Sequence, residues 1–162
     1  MAKLAYTLLQ LGLIVSLLSQ YATAGDATLT ADEQSAAVVT QVYQGFENGD
    51  MEGILALMSD DVDWIHPGHA DIPFAGTYKG KQGVQHFFEN AFEHLDVVEQ
   101  QVFDFLVKGD RVAALGFEKM RVKVTGKEYE SNWIHLYTVR DGKVVRFEEF
   151  IDTAAVAAGF AP

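Results

Sequence analysis

Glu149 has the sequence setting that most favours acid–base chemistry. In the segment VVRFEEFID, Val145, Phe147 and Ile151 alternate with it on one face of a predicted strand, and Glu149 is the only polar residue on that face. If that face borders an apolar pocket, desolvation disfavours the carboxylate and raises its pKa toward neutrality. Such a carboxyl group can accept or donate a proton at neutral pH. The alternative is a strand-end glutamate that reaches solvent, as we expect for Glu148.

His66 is the second residue whose setting suits proton transfer. It ends the alternating segment DVDWIH and directly precedes Pro67, which disfavours helical backbone in the residue before it. Its predicted strand face also carries Val62 and Trp64, so we expect the imidazole to point inward beside an aromatic wall. A histidine, with an ordinary pKa of about 6.5, could act as a base or proton shuttle. The alternative is a pocket histidine that only hydrogen-bonds ligand or backbone.

Glu118 could supply a further carboxyl group, but the face that it occupies depends on a turn. A three-residue turn at residues 125–127 would place it on the sheet face of Ile134 and Glu149. A two-residue turn would place it with His135 instead, because a slip of one residue reverses the faces of a strand. The sequence leaves both registers open.

His135 and Ile134 are alternative ligand contacts for a similar reason. With a two-residue turn at Asp141 and Gly142, Glu149 pairs with Ile134, and His135 falls on the opposite face beside Trp133. A β-bulge would reverse this assignment and bring His135 into the pocket. We therefore retain both as candidate ligand-binding residues.

Aromatic side chains could form apolar walls around these groups. Small-molecule pockets are usually lined by apolar and aromatic side chains with a few polar groups. The aromatic candidates for this wall are Trp64, Phe74, Tyr78, Phe88 and Phe92, and the first four are candidate ligand contacts. Adjacent Phe87 and Phe88 are not expected to face the same cavity. The alternative is that most of these rings are ordinary core.

The loop after His66 contains two more potential metal ligands, His69 and Asp71. Their spacing matches no metal-binding signature, and no other histidine is tied to them by sequence. The sequence therefore predicts no metal site and no cofactor. We expect this loop, broken by proline and glycine, to form a rim over the pocket mouth.

The elements that must position these residues follow from hydrophobic periodicity and turn signals. Apolar residues at helical spacing predict helices at the start and in the middle of the domain, and alternation with glycine-containing turns predicts strands in its second half. The predicted helices cover residues 31–48, 51–59, 80–94 and a short segment after Asp152, and the predicted strands cover residues 61–66, 97–107, 111–124, 128–139 and 143–151. This order indicates the α+β class.

Composition restricts the class of function. The chain has 162 residues, half of them hydrophobic, which suits one folded domain. Its formal net charge of −11 and the lack of a basic run argue against nucleic acid as a partner. The absence of cysteine excludes disulfides, thiolate metal sites and a thiol nucleophile.

The N-terminal segment predicts export. Lys3 is the only charged residue before Asp26, an apolar run follows it, and ATA at residues 22–24 has the form of a cleavage site. We expect a secretory signal peptide at 1–24, a linker at 25–32 and one domain at 33–160, with a periplasmic or secreted product. The apolar run is shorter than the ~20 residues of a spanning helix, so no stable membrane insertion is expected after cleavage.

Several motifs together resemble the SnoaL-like branch of the nuclear transport factor 2-like (NTF2-like) superfamily. They are helix–NGD–helix, DVDWIHPG, PFAGTYKGKQGVQHFF, YTVRDGKVVRFEEFID and TAAVAAGF. The resemblance implies a cone-shaped α+β barrel, in which a curved antiparallel sheet wraps around three helices and leaves a deep apolar pocket. It also implies a homodimer through the outer sheet face, where we expect an exposed patch of Trp133, His135, Tyr137 and Phe150. The superfamily includes ketosteroid isomerases, epoxide hydrolases, dehydratases, polyketide cyclases and proteins without known activity, so the fold alone does not fix a reaction.

The resemblance to epoxide hydrolases covers only part of their catalytic residues. Glu149 resembles the position of their pocket aspartate, and Glu118 resembles a second acid two residues after an arginine. Gly116 stands here in the place of that arginine. The acid–arginine–acid arrangement is therefore incomplete, which counts against epoxide-type hydrolysis.

The resemblance to ketosteroid isomerases is also partial. His66 resembles the position of their catalytic aspartate before a proline, but their oxyanion tyrosine falls at Val42. The neighbouring Tyr43 is expected to point elsewhere. Their partner acid falls near Ile134 or His135, and neither is acidic.

These observations predict a protein that binds a small hydrophobic organic molecule. The enzymatic hypothesis is acid–base chemistry without a cofactor, in which His66 and Glu149 transfer protons and Glu118 assists. The reaction would be isomerisation, cyclisation, dehydration or epoxide-type hydrolysis. The rival hypothesis, favoured by Val42 and Gly116, is a binding or dimerising interaction protein of the same fold that lacks catalysis.

Overall fold

The computed structural model describes residues 29–162, and the predicted signal peptide at 1–24 lies outside them. Residues 31–162 form one unit of four helices and six strands in this described part. The elements are α1 (Ala31–Asn48), α2 (Met51–Ala56), β1 (Met58–His66), β2 (Gly76–Lys79), α3 (Gly80–His94), β3 (Leu95–Lys108), β4 (Arg111–Val122), β5 (Glu128–Arg140), β6 (Lys143–Ile151) and α4 (Thr153–Phe160).

The six strands form one sheet in the order β2-β1-β6-β5-β4-β3. Every neighbouring pair is antiparallel except β1 and β6, which are parallel. Helices α1 and α3 pack against the inner face of this curved sheet. The predicted α+β cone is thus confirmed, with β2 and the parallel β1–β6 pair as features that the sequence did not predict.

Capping and turn residues at the ends of the helices and strands have the contacts and backbone conformations expected of them. The side chain of Asp50 accepts a hydrogen bond from the Gly53 amide at the start of α2, and Asp152 accepts from two amides at the start of α4. Asp141 and Gly142 both have positive φ, 50° and 72°, as a type I′ hairpin turn demands. These caps and turns fix where each element begins and ends.

The second helix is shorter than the predicted 51–59 and ends at Ala56. Met58 is instead the first residue of β1, fully buried and paired with Val144. The amide of Val144 also donates to the carbonyl of Leu57. Pairing with β6 and burial of Met58 outweigh a helical pattern that only a nine-residue segment supports.

A β-bulge near the β5–β6 hairpin decides which side chains face the interior. Val139 pairs with Val144, but Thr138 pairs with Arg146, so Val145 is an extra residue in β6. Beyond the bulge, His135 rather than Ile134 lies opposite Glu149. The register with Ile134 opposite Glu149 is wrong, although the two-residue turn on which it rested is correct.

The bulge therefore reverses the predicted faces of β5. Trp133, His135 and Tyr137 are buried on the inner face, whereas Ile134 is 42% exposed on the outer face. The expectation that Ile134 lines the pocket is wrong for this reason. The predicted outer patch of Trp133, His135 and Tyr137 is wrong as well.

Candidate active site

A cavity of about 110 Å³ lies between the inner sheet face and the helices. One water molecule needs only ~10–15 Å³ in a comparable measure, so the space accommodates several waters or a small organic molecule. The walls are mainly aromatic, with a few ionisable groups among them. The lining residues are Tyr43, Phe46, Trp64, His66, Phe74, Phe87, Phe88, Ala91, Phe92, Leu95, Val97, Gln100, Glu118, Met120, Tyr129, His135, Tyr137, Phe147 and Glu149.

The aromatic wall agrees only in part with the sequence-based expectation. Trp64, Phe74 and Phe88 line the cavity, but Tyr78 does not. Tyr78 lies on the edge strand β2, where its hydroxyl donates to the Phe74 carbonyl oxygen at 3.0 Å. Phe87 lines the cavity together with Phe88, with 5.0 Å between the ring centroids. The exclusion of one of these two rings was wrong, because α3 lies along the cavity and presents more than one row of side chains.

The most exposed lining residue is Phe92, near the C-terminal end of α3. The loop with His69 and Asp71 contributes only Phe74 to the walls. The side chains of His69 and Asp71 are largely exposed and pair with each other at 2.9 Å. Of this segment, only Phe74 thus borders the cavity, and the role of the loop as a rim over its mouth stays a prediction.

Glu149, which lines the cavity, is bound by two histidines that line it as well. His66 Nε2 lies 2.6 Å from one carboxylate oxygen, and His135 Nε2 lies 2.9 Å from the other. The Tyr43 hydroxyl lies 2.8 Å from His135 Nδ1. All four side chains are buried. The result is a continuous polar chain, Tyr43–His135–Glu149–His66, across α1, β5, β6 and β1.

The two histidines reverse the expected shift at Glu149. Burial acts to raise the pKa of Glu149, but the charge of His66 and the hydrogen bonds from both imidazoles outweigh it. The pKa of Glu149 therefore lies well below its ordinary value, and the side chain is a carboxylate at neutral pH. The predicted rise of this pKa toward neutrality is wrong, because the sequence did not show the two histidine partners.

The two imidazoles differ in how many of their ring nitrogens have hydrogen-bond partners. A neutral His135 that donates from Nε2 to Glu149 must accept from the Tyr43 hydroxyl at Nδ1. Burial raises the pKa of Tyr43 well above 10.0, so its proton stays in place for this bond. His66 also contacts Glu149 through Nε2, but its buried Nδ1 has no hydrogen-bond partner. Of the two histidines, only His66 keeps a free ring nitrogen for a molecule in the cavity.

Glu118 lies on the same cavity with the opposite protonation. The loop between β4 and β5 spans residues 123–127, and in the register of these two strands Glu118 pairs with Ser131 and shares the inner face with His135. This is the face that a two-residue turn would also have given. Burial, followed by the negative charge of Glu149, raises the pKa of Glu118 to about 8, against an opposing hydrogen bond from the Tyr129 hydroxyl. Glu118 is therefore mainly a neutral carboxylic acid at pH 7.

Tyr43 is the member of the polar chain Tyr43–His135–Glu149–His66 that sequence reasoning placed outside the site. It was expected to point away because it follows Val42, but both residues are buried. Val39, Val42, Tyr43 and Phe46 have the i, i+3, i+4, i+7 spacing of one wide helical face. That spacing indicated burial of Tyr43, while its hydrogen bond to His135 depends on the register of β5.

The site thus combines a proton acceptor and a proton donor in an apolar space. When His66 is neutral and donates to Glu149 from Nε2, its Nδ1 can accept a proton from a molecule in the cavity, and Glu118 can donate one. In the described part of the chain, no group of three or more histidine or acidic side chains is arranged to hold a metal ion. No helix within residues 29–162 is long and apolar enough to cross a membrane.

Comparisons with known proteins agree with this architecture. The SnoaL-like domain matches residues 39–147. An NTF2-like protein from Burkholderia xenovorans is 32% identical, with 80% of this chain and 98% of that chain covered and a TM-score of 0.74. TerC, whose structure was solved with polyporic acid, is 28% identical, with 78% and 98% covered and a TM-score of 0.68.

A more distant structure extends the comparison to the fold alone. It is a protein from Mesorhizobium loti provisionally named a SnoaL-like polyketide cyclase, 21% identical, with 71% and 97% covered and a TM-score of 0.59. No match to a curated protein sequence was found. The extent of the family match and the identity to the NTF2-like structure show that this chain belongs to the SnoaL-like domain family, within the NTF2-like fold.

Proposed function

We propose that this protein binds a small, largely hydrophobic organic molecule in the cavity and catalyses proton transfer on it without a cofactor. The observation that carries the proposal is the buried Glu149 carboxylate, which contacts His66 at 2.6 Å and His135 at 2.9 Å while His66 Nδ1 remains unpaired. A buried polar atom without a partner beside a cavity favours a ligand that supplies one. The co-crystallisation of TerC with polyporic acid supports a small organic ligand in this fold.

The proposed chemistry uses His66 as base and Glu118 as acid. In isomerisation or cyclisation, His66 Nδ1 removes a proton from one atom of the ligand, and the resulting imidazolium is stabilised by Glu149 through Nε2. The proton then returns to a different atom of the ligand. In dehydration, His66 Nδ1 removes a proton from a ligand carbon, Glu118 donates a proton to the departing hydroxyl group on the neighbouring carbon, and water leaves as the double bond forms. The imidazolium then releases its proton to solvent, and Glu118 takes one up. Each route leaves the protein unchanged after one turnover.

The test begins with the ligand itself. Protein purified from its source is analysed by native mass spectrometry, and the extracted molecule is then incubated with fresh protein in D2O. We expect solvent deuterium in the recovered ligand or its product, because the proton on His66 exchanges with solvent. Glu149→Gln should abolish incorporation, whereas Glu148→Gln, a neighbouring change of the same charge on the outer face, should retain it. A ligand that binds but acquires no deuterium and forms no product would refute the catalytic proposal.

That negative result would favour the second candidate, a binding protein without catalysis. The fully buried Val42 at the position of the isomerases' oxyanion tyrosine is the observation in its favour. Under this alternative, the same ligand would be recovered unchanged, and Glu149→Gln would weaken its binding without altering any product.

We further propose a homodimer through the outer sheet face. That face presents Ile134, Phe150 and Leu106, which are 42%, 48% and 58% exposed. Of the patch expected from the sequence, only Phe150 lies on this face, because Trp133, His135 and Tyr137 are buried on the inner face. Ile134→Asp should reduce the mass measured by light scattering to that of a monomer, while Thr77→Asp on the edge strand should leave it unchanged. A wild-type monomer at micromolar concentration would contradict the dimer.

We also propose that the protein is exported and cleaved after Ala24, on the basis of the N-terminal sequence pattern. Cell fractionation followed by intact mass measurement tests this. The expected result is a species that begins at Gly25 in the periplasm or medium, and an uncleaved species in the cytoplasm would overturn it.

A further inference from the structure

Within the proposed catalytic site, on whose function this inference rests, we propose that Trp133 is a positioning residue for His135 and that Gly116 makes room for it. Trp133 does not line the cavity. Its indole stacks on the His135 imidazole with 3.8 Å between ring centroids and 13° between planes. The two residues are two apart on β5 and therefore share its inner face. The indole covers one face of the imidazole that binds Glu149.

Gly116 permits this stack through space rather than through backbone conformation. It lies directly across from Trp133 in the β4–β5 pairing, and it is not among the glycines with positive φ. A Cβ atom at position 116 would lie 2.1 Å and 2.4 Å from two carbons of the indole. It would also lie 2.3 Å from the backbone oxygen of Gln101 on β3, which cannot easily move. Any side chain at 116 would therefore displace the indole or the strand.

Tyr43 completes the enclosure of His135. Its ring is nearly parallel to both the imidazole and the indole, at 5° and 9°, with 6.3 Å between centroids in each case. Its hydroxyl contacts Nδ1, while Glu149 contacts Nε2. His135 is thus held by contacts at one ring face and at both nitrogens. Because His135 binds the Glu149 carboxylate oxygen opposite the one that His66 contacts, a fixed His135 also fixes the carboxylate that orients His66.

Ordinary core filling does not by itself account for the ring geometry at Trp133. Its indole nitrogen is buried without a hydrogen-bond partner, as is that of Trp64, so no polar bond orients the ring. The stack on an imidazole gives the aromatic ring a specific role, because ring contacts of this kind prefer defined offsets and angles.

The experiment reads the His135 ring directly and needs no substrate. Protein labelled with 15N in histidine is examined by long-range 1H–15N correlation, with His135→Gln used for assignment. In the wild type we expect one tautomer, protonated at Nε2 and unprotonated at Nδ1. Trp133→Leu and Gly116→Ala should each replace this pattern with averaged nitrogen shifts from a mixture of tautomers. Trp133→Phe, which retains an aromatic face, should recover most of the wild-type pattern.

Met58→Ala is the matched control for loss of a buried side chain elsewhere in the core. It should lower thermal stability while leaving the His135 pattern unchanged. Wild-type ring shifts in Trp133→Leu or in Gly116→Ala would overturn the proposal. If Trp133→Leu fails to fold, the comparison of Trp133→Phe with Gly116→Ala still decides it, since only the latter should lose the single tautomer. Failure of the proposed catalysis would appear as missing deuterium incorporation with the His135 pattern intact, so the two failures are distinguishable.

Discussion

Glu149 and Glu118 line the same cavity, yet their surroundings give them opposite protonation. Both are glutamates on inner strand faces with little exposure, so desolvation disfavours the charged form of each. Glu149 has two imidazole partners that lower its pKa, whereas burial and the negative charge of Glu149 raise the pKa of Glu118. Burial alone predicts a neutral acid at both positions, and the two histidine partners are what make Glu149 the anion while Glu118 stays the acid.

The largest expected effect on activity comes from removing the negative charge of Glu149. Glu149→Gln keeps the shape of the side chain but loses the charge that holds His66, so turnover of the recovered ligand should fall by roughly 10²–10⁴-fold, the usual contribution of a positioned acid or base. Steady-state kinetics on the wild type, Glu149→Gln and Glu148→Gln measure this. Equal turnover in the two variants would mean that Glu149 is no more important than a surface carboxylate.

The neutral carboxyl group of Glu118 should affect how the stability of the protein depends on pH. Because the pKa of Glu118 is raised from 4.5 to about 8, the folded state binds more protons than the unfolded state between these values. The stability associated with protonated Glu118 is therefore fully present below about pH 4.5 and is lost as the pH rises through about 8, at up to ~1.4 kcal/mol per pH unit.

Urea unfolding of the wild type and of Glu118→Gln, measured from pH 5 to pH 8 in steps of about one pH unit, isolates the contribution of protonated Glu118 to stability. The wild type should lose free energy of unfolding relative to the variant as the pH rises. Glu149 gives the opposite sign in a different window, since its lowered pKa provides stability above about pH 4.5 that is lost on acidification. Parallel curves for the two proteins would contradict a neutral Glu118.

A smaller effect is expected from the far end of the polar chain. Tyr43→Phe removes the hydroxyl that contacts His135 Nδ1 and leaves that buried acceptor unsatisfied, so the free energy of unfolding should fall by about 1–3 kcal/mol. Tyr78→Phe is the matched control, because its hydroxyl bonds a backbone carbonyl in a part-buried position. Chemical denaturation compares them. A loss in Tyr78→Phe as large as that in Tyr43→Phe would argue against a special role for the buried chain.

Local chemistry made much of the fold predictable from sequence. Asp50, Asp152 and the Asp141–Gly142 turn act within a few residues, and each behaves as its side chain and backbone preferences dictate. Helical and strand periodicity likewise indicated most elements. By contrast, the pairing of β1 with β6 joins segments distant in sequence, and it decides where α2 ends.

The sequence predicted which residues belong to the candidate site better than it predicted how they are arranged. Alternation placed His66 and Glu149 on inner faces, but Val145 as an extra residue in β6 moved His135 inward and Ile134 outward. Such a bulge depends on the whole sheet and has no marker in VVRFEEFID. The identity of Gly116 suggested a missing catalytic group, whereas the structure shows space occupied by Trp133. Each error follows from a long-range contact that local patterns do not encode.

The most direct test of the account is the protonation state of the two cavity carboxyl groups at pH 7. Protein labelled with 13C at the glutamate side-chain carboxyl carbon is titrated by NMR, with Glu118→Gln and Glu149→Gln used to assign the two signals. We predict that the Glu118 signal is that of a neutral acid and titrates near pH 8, while the Glu149 signal remains that of a carboxylate down to acidic pH. Two carboxylates at pH 7 that both titrate near their ordinary value would contradict the account.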